Sequence, residues 1–298
     1  MPDDLAVLQL DESADEPVPA TSGRSRGIRL PGRPHRDRGG LSGLAAWLLV
    51  AIAAVGMLAS TPPSAGPDEP IHEITAWYLS GRGPQPDSAG SFSVPASLWL
   101  NPCFAGQLAV NAACMLPRSA NQGMVSVSTS KLVDYPPPYY WVVGAGERLA
   151  ALVGNEYADI GGRLASIILN LGLLLLLSLY MRRKNPWWGS FLLLVSTPMA
   201  VFLGIVVNPS GWETTCAIAM AVALAEAAWS RGPVESDSWP KTATALLVLA
   251  CIGLSTARPI GFFWAAGLTV SAIVVAPTMH RRTLVRVAAA VAPGILNL

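Results

Sequence analysis

Between Leu41 and Ser60 the chain runs for twenty residues without one ionisable side chain. At about 1.5 Å of rise per residue, a helix of that length reaches about 30 Å, the thickness of the hydrocarbon layer of a bilayer. The run is read as a retained transmembrane helix or signal anchor, because a cleaved signal peptide would begin nearer the N-terminus and carry a shorter apolar core. Composition agrees: 52% of the residues are hydrophobic and only 13% charged, against roughly 45 to 50% apolar and 25% charged in soluble domains. The expected fold class is an all-α polytopic membrane protein.

The forty residues before this run are of another kind. Asp3, Asp4, Asp11, Glu12, Asp15 and Glu16 give way to Arg24, Arg26, Arg29, Arg33, Arg36 and Arg38, with Pro and Gly between them. Such a segment buries too little apolar surface to offset its ordering entropy, so residues 1–40 are expected to form a disordered tail. Basic residues next to a span stay on the cytoplasmic side, which places the N-terminus inside and residues 61–159 outside. The next span, Ile160 to Tyr180, ends in Arg182, Arg183 and Lys184 and so returns to the cytoplasm. Further spans are expected over Trp187–Val207, Trp212–Trp229, Thr242–Thr256 and Ile260–Ala276, with a last one opening near Leu284. That makes about seven transmembrane helices and a domain covering residues 41–298 in a bacterial cytoplasmic membrane, in contact with membrane lipid. The last span is still running at Leu298, so the chain is expected to be cut short at its C-terminal side.

The stretch Pro136 to Val153, PPPYYWVVGAGERLAALV, is apolar enough to resemble a span. Crossing there would bury Glu147 and Arg148 in hydrocarbon and put the Arg182–Lys184 cluster outside. It is read instead as an amphipathic helix on the outer interface, with Tyr139, Tyr140 and Trp141 at headgroup level. In the same outer loop Cys103 and Cys114 have ten residues between them, and an oxidising exterior favours a disulfide between them. Cys216 and Cys251 lie within spans and are read as small core residues.

The first span is followed at once by STPPSAGPDEPIHEITAWYLSGRG, residues 60–83. Pro70 suits a first helical position and Gly81 a stop, so a short helix is expected over Pro70–Ser80. Ile71, Ile74 and Trp77 or Tyr78 would form its apolar face, resting on the membrane. Asp68 and Glu69 then stand just before a helix N-terminus. One reading makes them caps for free backbone amides. The other makes Asp68 the base that takes a proton from an acceptor hydroxyl, with Glu69 or His72 helping to hold a divalent metal such as Mg or Mn, or to orient the base.

These motifs taken in order resemble a known family. PDEPIH, the paired loop cysteines, YPPPYY, TPMAVFLGIVVNPSG and ARPIG are similar to the bacterial predicted membrane protein family DUF2142. More broadly they resemble the GT-C superfamily of glycosyltransferases that use polyprenyl-phosphate sugars. The resemblance runs from about Leu41 to the C-terminus. It implies a catalytic or metal-linked acid at the start of the first outer loop, which maps onto Asp68 with Glu69 beside it. It also implies binding of a lipid-linked phosphate sugar, for which His72, Arg163 of GGRLAS and Arg258 of TARPIG are the candidate residues. Both arginines have an alternative role as snorkelling side chains that reach headgroups. The later spans and the soluble C-terminal domain that many GT-C members carry are missing from this sequence.

Asn208 and Glu213 flank the turn NPSGWE, either lining the same cavity or capping a helix pair. Glu226 lies near the inner end of its span, and Trp187, Trp188, Trp229 and Trp239 are read as belt residues. A net charge of +1 without a basic stripe sets nucleic acid aside. The spans carry no buried charged path of the sort ion-coupled pumps need, and no GxxxxGK[ST] loop is present. Two functions remain open: a membrane glycosyltransferase acting on envelope glycan or protein, and a non-catalytic envelope-assembly or transport protein that binds a glycolipid.

Overall fold

The computed structural model describes residues 38–275, except 82–85, 101, 105–106, 108, 116–117, 182–183, 186 and 230–240, together with 285, 287–289 and 291–292. Residues 1–37 of the tail expected over 1–40, Arg182, Arg183, Trp239 and most of the expected last span lie outside these residues, while residues 38–40 belong to the first helix.

Helix α1 covers Arg38–Ser60 and contains the uncharged run; α2 covers Glu69–Ser80. Strands β1, Ser91–Pro95, and β2, Met124–Ser128, pair antiparallel with Phe92 opposite Val127 and Val94 opposite Val125. Helices α3, Pro137–Ala151, and α4, Ala158–Met181, come next, then α5, Trp188–Val195, and α6, Pro198–Ile205. The described helices end with α7, Pro209–Trp229, α8, Lys241–Ala257, and α9, Gly261–Val275. α4 is the hub, packing against α1, α3, α6 and α7, while α7 in turn carries α8 and α9.

Two described helices are long and apolar enough to cross a membrane, over Ser42–Ser60 and Asn155–Met181. The span expected over Trp187–Val207 is two helices, α5 and α6, bent by 73°, and counts as a third only if the pair is one span. Pro198 is the cause. It lacks an N–H and disfavours helical geometry at Thr197, and the Thr197 hydroxyl accepts from Ala200 N at 3.2 Å to start α6 afresh. α8 and α9 are apolar but hold 17 and 15 residues, about 22 to 26 Å, short of a 30 Å hydrocarbon layer. α1 leaves Leu48, Leu49, Ile52 and Val55 more than half exposed, a surface suited to lipid rather than water.

The segment between α1 and α4 differs from expectation in three ways. The β1–β2 pair was not anticipated. α2 does not rest on a membrane: Ile74 and Trp77 are buried against Phe92, Val94, Leu98 and Val127 of the strand pair and the turn after β1. Each such side chain contributes roughly 1.5 to 3 kcal/mol when buried, so this small core holds the helix inside the protein. On α3, Tyr139 and Tyr140 are also buried, and only Trp141 of the aromatic trio is exposed. The exposed apolar side of α3 is formed by Trp141, Val142 and Leu149, continuing into Leu152 and Val153. Cys103 and Cys114 are joined in a disulfide with Cα atoms 6.1 Å apart, and Cys216 and Cys251 are buried free thiols.

α3 and α4 approach through glycine. A Cβ on Gly146 would run into the carbonyl oxygen of Gly161, and one on Gly161 into that of Gly146. Gly161→Val should therefore force the helices apart and cost about 1 to 3 kcal/mol, the usual range for overpacking. Thermal unfolding of the detergent-solubilised chain would read this loss, while Gly56→Val in α1, where a Cβ meets nothing within 4 Å, should leave the midpoint nearly unchanged.

Candidate functional site

The loop from Thr61 to Asp68 joins α1 to α2 and owes its shape to a residue outside it. Arg163, in the second turn of α4, donates from Nη1 to the Thr61 carbonyl at 2.9 Å and from Nη2 to the Pro62 carbonyl at 2.7 Å. The same guanidinium grips Glu69 with both prongs, Nε to Oε1 at 2.8 Å and Nη2 to Oε2 at 2.7 Å. Glu69 also accepts from Gly66 N at 3.0 Å and from Val207 N at 3.1 Å. A carboxylate has about four lone-pair sites, and all four are used. Both side chains are almost fully buried. Such a pair offsets its desolvation only when its hydrogen bonds are complete, which they are here.

Glu69 and Arg163 are thus committed to each other and to the backbone of two loops. The roles expected for them, metal or catalytic acid for Glu69 and phosphate binding for Arg163, find no open coordination position on Glu69 and one spare N–H on Arg163. Neither residue snorkels.

Asp68 stands differently. It is exposed, its φ and ψ are 55° and 15°, and its side chain makes no capping bond to the helix it precedes. Its backbone carbonyl instead accepts from Ile71 N and His72 N. Asp and Asn are the non-glycine residues that best tolerate this left-handed geometry. The first amides of the helix, Ile71 N and His72 N, are served by the Asp68 carbonyl, so the capping expected of Asp68 is not what its carboxylate does.

Arg258, just after α8, is brought to the same place by Asn208, which lies between α6 and α7. Asn208 donates from Nδ2 to the Pro67 carbonyl at 2.9 Å and accepts from Arg258 Nη2 at 3.2 Å on Oδ1. Arg258 also lies 3.8 Å from Glu213 and stands over the Tyr135 ring at 5.9 Å. Its side chain remains about one-third exposed. His72 completes the group: Nδ1 is 2.8 Å from the Tyr140 hydroxyl, and its ring lies 5.9 Å from that of Tyr135. Burial and the nearby Arg258 charge, against the opposing pull of Asp68 and Glu69, hold His72 down at about 4. His72 is therefore neutral near pH 7. Burial likewise holds the Tyr140 phenol in its protonated form, so the bond is a neutral pair, with the proton on Nε2 if Tyr140 donates and on Nδ1 if it accepts.

The sequence groups Asp68, His72 and Arg258 and offers Asn208 and Glu213 as lining the same cavity or capping a helix pair; the structure brings Asn208 and Glu213 to Arg258 and adds Tyr135 and Tyr140. Tyr140 carried the wrong signal, since an aromatic beside Trp141 in an apolar stretch reads as a membrane anchor. As for a metal, no three acids, histidines or cysteines among the described residues form a ligand set, and Glu69 has no free lone pair. The donor set does not fit a divalent ion held by Asp68 and Glu69.

Long apolar helices around a buried core, with lipid-suited side chains on the outside, make this a helical membrane protein. Residues 50–298 match the family described as predicted membrane protein (DUF2142), and the chain belongs to that family. No curated protein and no solved structure matches it.

Removing one partner of the buried pair should be far costlier than altering Asp68. Glu69→Gln leaves the Arg163 charge uncompensated and should cost about 3 to 5 kcal/mol. Asp68→Asn is a surface change that tolerates φ 55° and should stay within about 0.5 kcal/mol. Denaturation midpoints of the two variants check this. His72 adds a pH dependence. The unfolded chain takes up its proton near pH 6.5 and the folded chain only near 4, so stability is full above that window and is lost as pH falls through it. His72→Gln should remove that acid-side loss in a melting series across the same range.

Proposed function

We propose that the protein is a membrane glycosyltransferase that takes a sugar from a polyprenyl-phosphate donor on the extracytoplasmic face of a bacterial cytoplasmic membrane and passes it to an envelope glycan or protein. The observation that carries this reading is that Asn208 joins the Arg258 guanidinium to the Pro67 carbonyl, one residue before the exposed Asp68. One accessible carboxylate and one accessible guanidinium on a single face, next to helices suited to lipid, match the two charges that the reaction has to handle.

In this reading Asp68 accepts the proton of the acceptor hydroxyl as its oxygen bonds to the anomeric carbon. The bond from that carbon to the donor phosphate breaks, and Arg258 holds the departing lipid phosphate with its planar fork. His72, neutral and fixed by Tyr140, adds a donor or acceptor to the acceptor sugar without adding charge. Glu69 and Arg163 act as positioning residues, setting the loop that carries Asp68. The long apolar chain of the donor lies along the exposed apolar surface of α3 and α4. The orientation, with the N-terminus in the cytoplasm and residues 61–159 outside, is supported by the arginine-rich stretch before α1 and by the basic residues after α4.

A second reading is favoured by the saturation of Glu69. With Glu69 saturated and Glu213 set against Arg258, the face has the charges to bind a glycolipid phosphate, as in a non-catalytic envelope-assembly or transport protein.

Transfer of labelled sugar from polyprenyl-phosphate donors, measured in membranes at matched expression, separates the two. Asp68→Asn should lower transfer by about 10²- to 10⁴-fold, the usual contribution of a general base, with folding unchanged. Arg258→Lys keeps the charge but loses the fork and should weaken donor use. Equal transfer by wild type and Asp68→Asn would remove Asp68 from the chemistry. Donor binding without transfer by any form would support the second reading.

A further inference from the structure

Glu73 of α2 and Glu147 of α3 have no place in the glycosyl transfer, yet both are fully buried and all four of their carboxyl oxygens lack a hydrogen-bond partner among the described residues. They belong to one neighbourhood. Asp159 of α4 acts electrostatically on both, and Glu73 also feels Glu69 of its own helix, Arg163 of α4 and Glu147 itself. Arg148 is the remaining charged neighbour of Glu147. Neither positive charge is free to neutralise them. Arg163 is held by both oxygens of Glu69, and Arg148 points to α2, donating to the Ser80 hydroxyl and the Trp77 carbonyl and covering the Trp77 ring. Glu147 is pinned in place, since a Cβ on Gly162 of α4 would already touch its side chain at 3.0 Å.

Two ionised glutamates here would be two uncompensated charges beside Asp159, with no hydrogen-bond donor to them among the described residues. Buried acids in that position keep their protons. We propose that Glu73 and Glu147 are packed as neutral carboxylic acids, and that the docking of α2 and α3 on α4 is therefore proton-dependent, tight when both are protonated and loosening as the pH rises. Burial raises both groups well above 4.5. The folded chain thus keeps protons that the unfolded chain releases above that pH. Stability is full below 4.5 and falls as pH climbs toward the raised values. This runs opposite in sign to His72, whose effect is complete above about 6.5, so the two are separable by working on the alkaline side. The device is independent of the glycosyltransferase reading: it concerns how the helices that carry the site are held, whatever the site does.

The test uses the full chain in detergent or nanodiscs between about pH 6.5 and 8, a range above the ordinary His value and below that of a free thiol. Wild type should melt at progressively lower temperature as pH rises. Glu73→Gln and Glu147→Gln should each flatten the slope, and the double variant should melt at nearly the same temperature throughout. Infrared spectra of wild type at neutral pH should show the carbonyl stretch of protonated carboxyl groups, weaker in either variant and fading in wild type toward the alkaline end. The infrared measurement on wild type needs no variant and decides the matter even if the glutamine forms fail to fold. Absence of that band, or an unchanged slope in the glutamine variants, would overturn the proposal. So would a rise in the alkaline melting temperature on adding magnesium that the glutamine variants lack, since it would mean that the carboxylates hold a cation.

Discussion

The Glu69–Arg163 pair is the constraint on which the polar half of this molecule depends. Arg163 comes from α4, the helix most of the others pack against, and with four of its five N–H groups it fixes the end of α1, the loop after it and the first residue of α2. Glu69 uses its remaining lone pairs to hold Gly66 and, across the molecule, Val207 at the end of α6. Four chain segments are tied at one buried point. The pair is stable because it is complete, and a partial version would be worse than an apolar contact.

The groups that this clamp positions lie next to it rather than within it. Asp68 precedes Glu69 by one residue, and with Glu69 fixed inward, its own left-handed backbone turns it to the surface. Asn208 comes one residue after Val207, and with Val207 N fixed on Glu69 the Asn208 side chain is set between Pro67 and Arg258. Two neighbouring residues, one on each side of the clamp, bring the acid and the guanidinium to one face. The family match covers residues 50–298, and so includes the clamp and the whole of the face it organises.

The division of labour between adjacent acids was not legible in the sequence. DE before PIH gives two carboxylates in a turn, and nothing local distinguishes the one that is saturated from the one that is free; the partner that decides is 94 residues away. The same holds for Glu147, where a charged residue in an apolar helix argued for an interface, and where burial against Gly162 gives it a different environment. The strand pair left a clearer local signal. In SFSVP and MVSVS serine alternates with Phe92, Val94, Val125 and Val127, a period of two that marks half-buried strands.

The sequence by itself determined that this is a helical membrane protein, because twenty uncharged residues have no other favourable solvent, and it determined several helix limits. α2 stops at Gly81 and α4 begins close to where the second span was expected. These are local properties of chain stiffness, backbone donors and hydropathy. Tertiary structure alone decided which faces of α2 and α3 meet protein rather than lipid, which of two adjacent acids is buried, and that Arg258 reaches the loop of Asp68. Each of those depends on a partner far along the chain, and an amphipathic pattern looks the same whether the apolar side is covered by a bilayer or by a two-stranded sheet.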